Sequence, residues 1–423
     1  MSGVMQSITK GRFGNSANTN MLIYLAGKLV SLFGTRVMNF AIGLYVLRTT
    51  GSGMGFALTM IVATIPAIVI SPFAGVVADR SNRRAVVVLT DFLCGLVLVS
   101  VYFLASRIGL SLNLILVKVF LLSILNTFFN TTMEASIPNI VDESRLTKIN
   151  SYNSSITSLS SIVGPALGGL IYGVVKTELF ILIAGLCFIM SAISELFINF
   201  NFNNAPAVTK PKENVMLEIK SAFHYVRSKR IVFSILLFAV FINFVFSSYI
   251  VSLPYIINIQ LGLSSDQFGL IQSASAVGSL VFSLLYSLMP EHKGKFKYLM
   301  AALVAMSVLM MLTGVPTLNA FGAVSQIALL VYFTALNFTL GGALMFLNLP
   351  SFILLQRETA DEYRGRVNGF LGTMSLSIQP LGMALGGFFV DHISSFILVF
   401  SCGVLFLAIS LILAKDRQLR EAF

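Results

Sequence analysis

The stretch Gly75-Val76-Val77-Ala78-Asp79-Arg80-Ser81-Asn82-Arg83-Arg84 decides the fold of this chain, because it is a compact cluster of charge between two long apolar runs. Residues 53–78 carry no charged side chain, and residues 85–106 carry only Asp91. Two apolar helices joined by a basic turn predict a membrane hairpin whose turn lies in the cytoplasm. On charge alone, the turn could be a topology anchor and nothing more.

The composition is that of an integral membrane protein rather than a soluble enzyme. Of the 423 residues, 56% are hydrophobic and 11% are charged, whereas soluble domains average about 25% charged residues. The net charge of +11 does not indicate nucleic acid, because the basic residues fall in alternate loops. The three cysteines lie in apolar runs and the three histidines at loops. We therefore expect no enzyme, no cofactor and no metal site, and residues 1–20 do not read as a signal peptide.

Apolar runs of about 20 residues are long enough to cross a membrane as helices. The chain has twelve such runs. They cover approximately residues 20–47, 53–78, 85–106, 111–133, 147–174, 178–200, 231–259, 265–289, 297–315, 322–348, 367–390 and 394–414. The connections after odd-numbered runs contain only Arg48, Arg107 and Lys176 as basic residues. This predicts an all-α protein of the cell membrane with both termini in the cytoplasm.

The charge distribution also predicts the domain organisation. Residues 1–200 form an N-terminal half and residues 231–423 a C-terminal half, with a basic cytoplasmic linker over residues 201–230. After Pro206 and Pro211 the linker reads as an amphipathic helix on the membrane surface. Its apolar face comprises Met216, Leu217, Ile219, Phe223 and Val226. A plain solvated linker is the alternative.

An internal repeat relates the two halves. Lys148-Ile149-Asn150 matches Arg366-Val367-Asn368, and Ala166-Leu167-Gly168-Gly169 matches Ala384-Leu385-Gly386-Gly387. Both matches have the same offset, since 368 − 150 = 384 − 166 = 218. The same offset pairs Glu143 with Asp361. Two six-helix halves in parallel repeat predict a substrate site near the membrane midplane, between the halves.

The order Gly75-x-x-x-Asp79-Arg80-x-x-Arg83-Arg84 is more specific than its charge. It resembles the loop between the second and third helices of major facilitator superfamily transporters. The resemblance implies that fold and a conformational role for Gly75, Asp79, Arg80 and Arg83. Asn82 stands where the family usually has glycine, and we expect it to adopt the left-handed conformation that glycine would supply.

The fifth predicted helix contains Ser160-x-x-x-Gly164-Pro165-x-x-Gly168-Gly169. This motif resembles the fifth-helix signature of the drug–proton antiporters in the same superfamily, which implies export. Gly51-Ser52-Gly53-Met54 and Glu362-Tyr363-Arg364-Gly365-Arg366-Val367 are similar to the macrolide-efflux and siderophore-export branch. Small residues let helices approach closely, so we expect Gly164 and Gly168 to contact a helix of the other half. Pro165 and Gly169 complete this conformational set.

Polar residues inside the membrane are costly and usually functional. Lys28, Ser31, Thr35 and Asn39 share an arc of about 80° on the first helix, and Arg36 lies at its edge. We predict that this face lines a substrate cavity, although Lys28 could instead snorkel to the surface. The remaining predicted substrate-binding residues are Lys118, Asn126, Asn130, Asn243 and Asn337. The cations favour a cargo with negative charge.

Few carboxyl groups lie where they could carry a proton through the membrane. Asp91 and Glu134 are the predicted proton-coupling residues, and Glu195 is a third candidate. A buried acid that is alternately desolvated and paired with a cation can bind and release a proton. Alternatively, Asp91 and Glu134 only pair with the loop arginines. We also predict a charge network of Asp79, Arg83 and Glu134, with Asp79 capping the eleventh helix.

Together these patterns predict a secondary active transporter with two six-helix halves. The resemblance implies that it exports a small amphipathic compound, such as a drug, macrolide or siderophore, and we expect proton antiport through alternating access. The alternative is a lipid or lysolipid flippase whose cavity cations bind the headgroup. Its predicted partners are membrane lipids, the cargo and protons, without nucleic acid, and it is predicted to act as a monomer.

Overall fold

The computed structural model describes residues 2–203, 215–289, 295–318 and 324–422, and in these residues all regular structure is helical. The helices are α1 (Ser2–Thr50), α2 (Gly53–Arg80), α3 (Arg83–Ile108), α4 (Leu112–Ile140), α5 (Glu143–Val174), α6 (Thr177–Glu195), α7 (Val215–Ser228), α8 (Arg230–Tyr255), α9 (Ser265–Ser287), α10 (Lys295–Thr313), α11 (Gln326–Glu358), α12 (Arg364–Ser377), α13 (Gln379–His392), α14 (Ser395–Lys415) and α15 (Arg417–Ala422). Within the described part of the chain, twelve segments are long and apolar enough to cross a membrane. The prediction of twelve spans is confirmed.

The eleventh span is one predicted run but two helices. It covers Arg364–His392, and α12 gives way to α13 at Ile378. Pro380 follows in the first turn of α13. Proline lacks the backbone N–H and fits only the first turn of a helix, which explains the break. Hydrophobicity alone could not show it.

The chain forms two compact units, Met1–Ile42 with Val62–Lys210, and Gly43–Ile61 with Pro211–Phe423. The end of α1 and the first turns of α2 therefore belong to the second unit, although the sequence placed them in the N-terminal half. The cause is close packing on α13, where a Cβ atom on Gly387 would lie 2.6 Å from Ala57 and 3.0 Å from the backbone of Met54.

In the first unit, a tight crossing of α3 and α6 positions the polar residues described below. A Cβ atom on Gly95 would lie 2.8 Å from the carbonyl of Gly185, and one on Gly185 would lie 3.1 Å from the carbonyl of Gly95. Only glycine at both positions allows the backbones to approach this closely. A buried apolar cluster of the unit includes Tyr24, Phe129 and Met133.

The C-terminal end of the linker helix α7 packs on protein, and the predicted position of this helix on the membrane surface stays a prediction. The Tyr225 ring stacks on Tyr363 with centroids 4.3 Å apart, and the Tyr225 hydroxyl accepts a hydrogen bond from the Ala360 amide. Val226 is buried in a cluster with residues of α8, α11 and α12, and Phe223 contacts Phe370 edge-on. Of the predicted apolar face, Val226 is thus buried against protein, whereas the Phe223 side chain stays 45% exposed. The side chains of Met216, Leu217 and Ile219, and the residues Pro206 and Pro211, lie outside the described part of the chain.

The internal repeat is visible in the packing of both units. In the first, Gly164 and Gly168 of α5 lie against Arg36 and Phe40 of α1; in the second, Gly382 and Gly386 of α13 lie against α8. The offsets 382 − 164 and 386 − 168 both equal 218.

At the starts of α5 and α12 the register of the repeat shifts by one residue. Arg145 binds Asp142 at 2.6 Å and Arg364 binds Asp361 at 2.9 Å, an offset of 361 − 142 = 219. This corrects the pairing of Glu143 with Asp361. The hydrogen bond from the Ser144 hydroxyl is the largest effect on the pKa of Asp142 and holds it below its usual value; burial opposes this effect, and the Arg145 guanidinium adds to the lowering.

Candidate functional site

The polar face predicted on α1 divides into a buried and an exposed part. Lys28 and Ser31 are buried, Thr35 is half-buried, and Arg36 and Asn39 are exposed. The Thr35 hydroxyl donates to the backbone carbonyl of Ser31, so it is satisfied within its own helix. The two parts must be considered separately, because only the exposed part can meet a ligand directly.

Lys28 is held by an internal partner. Its ammonium lies 3.3 Å from the Glu134 carboxylate of α4, and the side chains are 5% and 61% exposed respectively. Lys28 therefore does not offer a free charge to a cargo in this structure. Glu134 faces Lys28 and not Arg83, so the predicted network of Asp79, Arg83 and Glu134 is wrong in its third member.

A pair of buried acids lies where α1, α3 and α6 meet. Asp91 and Glu195 are both 0% exposed. The Ser31 hydroxyl is 3.4 Å from each oxygen of the Asp91 carboxyl group, and the Ser191 hydroxyl is 3.4 Å from Glu195 Oε1. The two hydroxyls are themselves 3.4 Å apart. Asp91 is thus joined to Glu195 through serines and forms no ion pair with the loop arginines among the described residues.

The predicted binding residues of α4 occupy different environments. Lys118 is 1% exposed, and its Nζ atom has no hydrogen-bond partner among the described residues. Asn126 and Asn130 are half-buried, and the Asn130 amide donates to the carbonyl of Asn126. Lys118 is predicted to bind substrate, but its side chain is buried in this structure.

Arg36 is the exposed cation of this region. It forms no ion pair within 4 Å and no hydrogen bond among the described residues. Its Cβ atom would be 2.9 Å from a Cβ atom added to Gly164, and Gly168 would similarly meet Phe40 at 2.9 Å. Within their own unit the two glycines therefore make a close contact with α1, and their predicted contact with the other half stays a prediction. Pro165 and the buried Gly169 lie in this stretch of α5.

The charged loop between α2 and α3 is anchored mainly by Arg83. Its guanidinium donates to the carbonyls of Ala78 and Ala135, each at 3.0 Å, and to the Asn139 side chain. Asp79 lies 3.8 Å from Arg83 and is exposed. Arg83 thus ties the end of α2 to α4, and the predicted capping by Asp79 stays a prediction.

The remaining loop positions have simpler environments. Arg80 is exposed, and a Cβ atom on Gly75 would meet nothing within 4 Å. Asn82 has φ −66° and caps α3 by accepting a hydrogen bond from the Ala85 amide. The expectation of a left-handed Asn82 is wrong, because an extended N-cap already satisfies the turn.

In the second unit, the predicted residue Asn243 accepts a hydrogen bond at 2.9 Å from Gln379, at the start of α13. Asn337 is buried, and its amide donates to the carbonyl of Phe333. Asp391 of this unit accepts three hydrogen bonds from the start of α2 and the residue before it. It accepts from the Ser52 hydroxyl at 2.6 Å and from the amides of Gly53 and Met54 at 2.6 and 3.0 Å. A carboxylate at a helix N-terminus is favoured by the helix dipole.

The family model of the Major Facilitator Superfamily matches residues 24–376, which is most of the chain and includes the anchored loop and the α1–α5 crossing. The chain belongs to the major facilitator superfamily. It is accordingly a multi-pass membrane transporter and not an enzyme. In the described residues no group of three or more His, Cys, Asp and Glu side chains could hold a metal ion.

Relatives of this transporter include efflux proteins. It is 23% identical over 401 residues to "Macrolide efflux protein A" of Streptococcus pyogenes, covering 94% of this chain and 95% of the relative. It is also 23% identical over 372 residues to "Enterobactin exporter EntS" of Salmonella choleraesuis (strain SC-B67), covering 82% of this chain and 81% of the relative.

Solved structures show the same fold. A bacterial homologue of the iron transporter ferroportin in an inward-facing state aligns with TM-score 0.68 at 18% identity, over 92% of this chain and 98% of the other. A D-xylose–proton symporter aligns with TM-score 0.68 at 14% identity, over 96% and 99%.

Three polar residues of this transporter were missed as site residues. Glu195 is only a third candidate proton carrier on sequence grounds, and no sequence pattern indicates Gln379 or Asp391. Glu195 ends an apolar helix, which gave the only available signal. The hydrogen-bond partners of Gln379 and Asp391 are 136 and more than 300 residues away in sequence. No local sequence pattern could therefore predict these two hydrogen-bonded contacts.

Proposed function

We propose that this transporter exports a small amphipathic compound bearing negative charge or strong hydrogen-bond acceptors, in exchange for protons. Support comes from the efflux and exporter names of its relatives and from the Gly164-Pro165 motif of α5. In this proposal the transporter works as a monomer in the cell membrane, with both termini in the cytoplasm.

The observation that carries the proposal is the environment of Arg36. It lies near the middle of the span Ala17–Thr50, is exposed, and has no acidic partner among the described residues. A lipid-facing arginine at this depth would cost roughly 2.5–3.5 kcal/mol. An anionic or acceptor-rich ligand offsets that cost, and the neighbouring Asn39 adds a donor and an acceptor.

The proposal is tested by thermal stabilisation of the purified transporter. The probes are enterobactin, the macrolide erythromycin and a lysophosphatidylglycerol, because a specific ligand raises the melting temperature by mass action. We expect enterobactin to stabilise the wild type, and Arg36→Gln to reduce its affinity about tenfold or more, as for loss of a charged hydrogen bond. Arg107→Gln, at the exposed end of α3, is the matched control and should bind as the wild type does.

Two results would contradict the proposal. Equal loss of enterobactin and erythromycin binding in Arg36→Gln would show that Arg36 does not select for negative charge. Stabilisation by the lysophospholipid alone would instead make the protein a lipid transporter, with Arg36 at the headgroup phosphate.

A further inference from the structure

The buried acids Asp91 and Glu195 have no counter-cation. Neither forms an ion pair within 4 Å with a described Lys, Arg or His side chain, and both are fully enclosed by α1, α3 and α6. Desolvated carboxylates without a cation are strongly disfavoured, and two adjacent ones also repel each other. The pair cannot hold two negative charges without large cost.

The available hydrogen-bond donors do not remove this difficulty. Ser31 and Ser191 each have one hydroxyl proton to offer, against four carboxyl oxygens. Glu195 Oε2 is buried and has no hydrogen-bond partner. A proton bound to the pair neutralises one acid and supplies the missing donor.

The surrounding groups separate this pair from the other charges of the unit. From α3, the thiol of Cys94 is buried within electrostatic reach of both acids. From α1, Lys28 is turned to Glu134 of α4, and the Tyr24 hydroxyl is buried without a partner. Glu134 is mostly exposed and already holds its cation, so it has no comparable need for a proton.

We infer that Asp91 and Glu195, bridged by Ser31 and Ser191, form the site that binds and releases the coupling proton of this transporter. This inference rests on the proposed function, because it takes from it the claim that proton movement is coupled to export of the cargo. Binding converts one carboxylate and a proton into a carboxylic acid, and release reverses that step. No other bond forms or breaks.

The position of Ser31 gives the site a link to the cargo. Ser31 and Arg36 lie on the same helix, five residues apart, or about 7.5 Å along its axis. Gly27 lets α6 approach α1, since a Cβ atom there would lie 3.3 Å from Glu195 Oε1 and 3.5 Å from the Ser191 hydroxyl. A displacement of α1 on cargo binding therefore changes the donors available to both acids.

The proton itself is tested without any cargo. In lipid nanodiscs at about pH 7.5, where exposed carboxyl groups are ionised, the wild type should show the infrared C=O band of a protonated carboxylic acid. Asp91→Asn and Glu195→Gln should each remove or shift the band, and Glu134→Gln should leave it unchanged. In the wild type, dicyclohexylcarbodiimide, which modifies buried protonated carboxyl groups, should label Asp91 or Glu195 by peptide mass spectrometry. An absent band, one unaffected by both substitutions, or labelling confined to Glu134 would overturn the inference.

Coupling is tested in proteoliposomes with labelled enterobactin. Glu195→Gln should abolish uptake driven by a pH gradient while retaining counterflow exchange, which needs no net proton movement. Gradient-driven uptake at the wild-type rate would assign the pair a structural role and overturn the inference. If the wild type does not transport enterobactin, the proposed cargo fails, and the infrared and labelling results still decide whether the pair holds a proton.

Discussion

The same residue type has different consequences at different positions of this transporter. Lys28 and Lys118 are both buried lysines of membrane-spanning helices, and both were predicted to bind substrate. Lys28 has a carboxylate at 3.3 Å, whereas the Nζ atom of Lys118 has no hydrogen-bond partner among the described residues. Burial of an unpartnered ammonium opposes folding, while a paired one contributes little in either direction.

We therefore predict that Lys118→Met stabilises the protein by roughly 1–3 kcal/mol, because an apolar side chain of similar length replaces a desolvated polar group. The measurement is the thermal unfolding midpoint in detergent. Lys176→Met, at an exposed position of the α5–α6 connection, is the control and should change little. A lower midpoint for Lys118→Met would mean that its ammonium binds a group such as a water molecule or a ligand.

At the scale of elements, glycine crossings determine which helices can approach. On α5, Gly164 and Gly168 face α1 directly, whereas a Cβ atom on Gly173 would meet nothing within 4 Å. The motif that resembles the antiporter signature thus has a physical role in this unit. It allows α5 to pack closely against α1, the helix that carries both Ser31 and Arg36.

Gly164→Leu should separate α5 from α1 and reduce transport by at least tenfold, with a loss of stability of about 1–3 kcal/mol from overpacking. Gly173→Leu on the same helix should be close to wild type in both respects. Export from proteoliposomes and thermal unfolding are the two measurements. Undiminished transport by Gly164→Leu would show that the crossing relaxes without functional cost.

At the scale of the whole molecule, the charge asymmetry predicts the orientation in the membrane. Ser81 lies in the basic α2–α3 loop, and Arg107 lies at the opposite end of α3; both are exposed. In a background without the natural cysteines, Ser81→Cys should react with a membrane-impermeant maleimide in inverted vesicles but not in intact cells. Arg107→Cys should show the reverse. The opposite pattern would place the termini outside the cytoplasm, contrary to the positive-inside rule.

The sequence by itself determined the helical class, the twelve spans and the family. Each depends on a local property of the sequence: the length of an apolar run, the charge of a connecting loop, or a motif within ten residues such as Gly75–Arg84. The internal repeat could also be recognised from the sequence, because Gly164 and Gly382 are separated by the same 218 residues as the other matching positions. Its one-residue shift at Asp142 and Asp361 became clear only from the ion pairs they form.

Only the tertiary structure decided which polar groups meet. Periodicity placed Lys28, Ser31 and Arg36 on neighbouring parts of one helix face, yet Lys28 pairs with Glu134, 106 residues away, and Ser31 joins Asp91. Arg36 remains exposed. The energy of a buried charge depends on the group that lies opposite it and on access to water, and helix packing sets both. No local pattern in the chain contains that information.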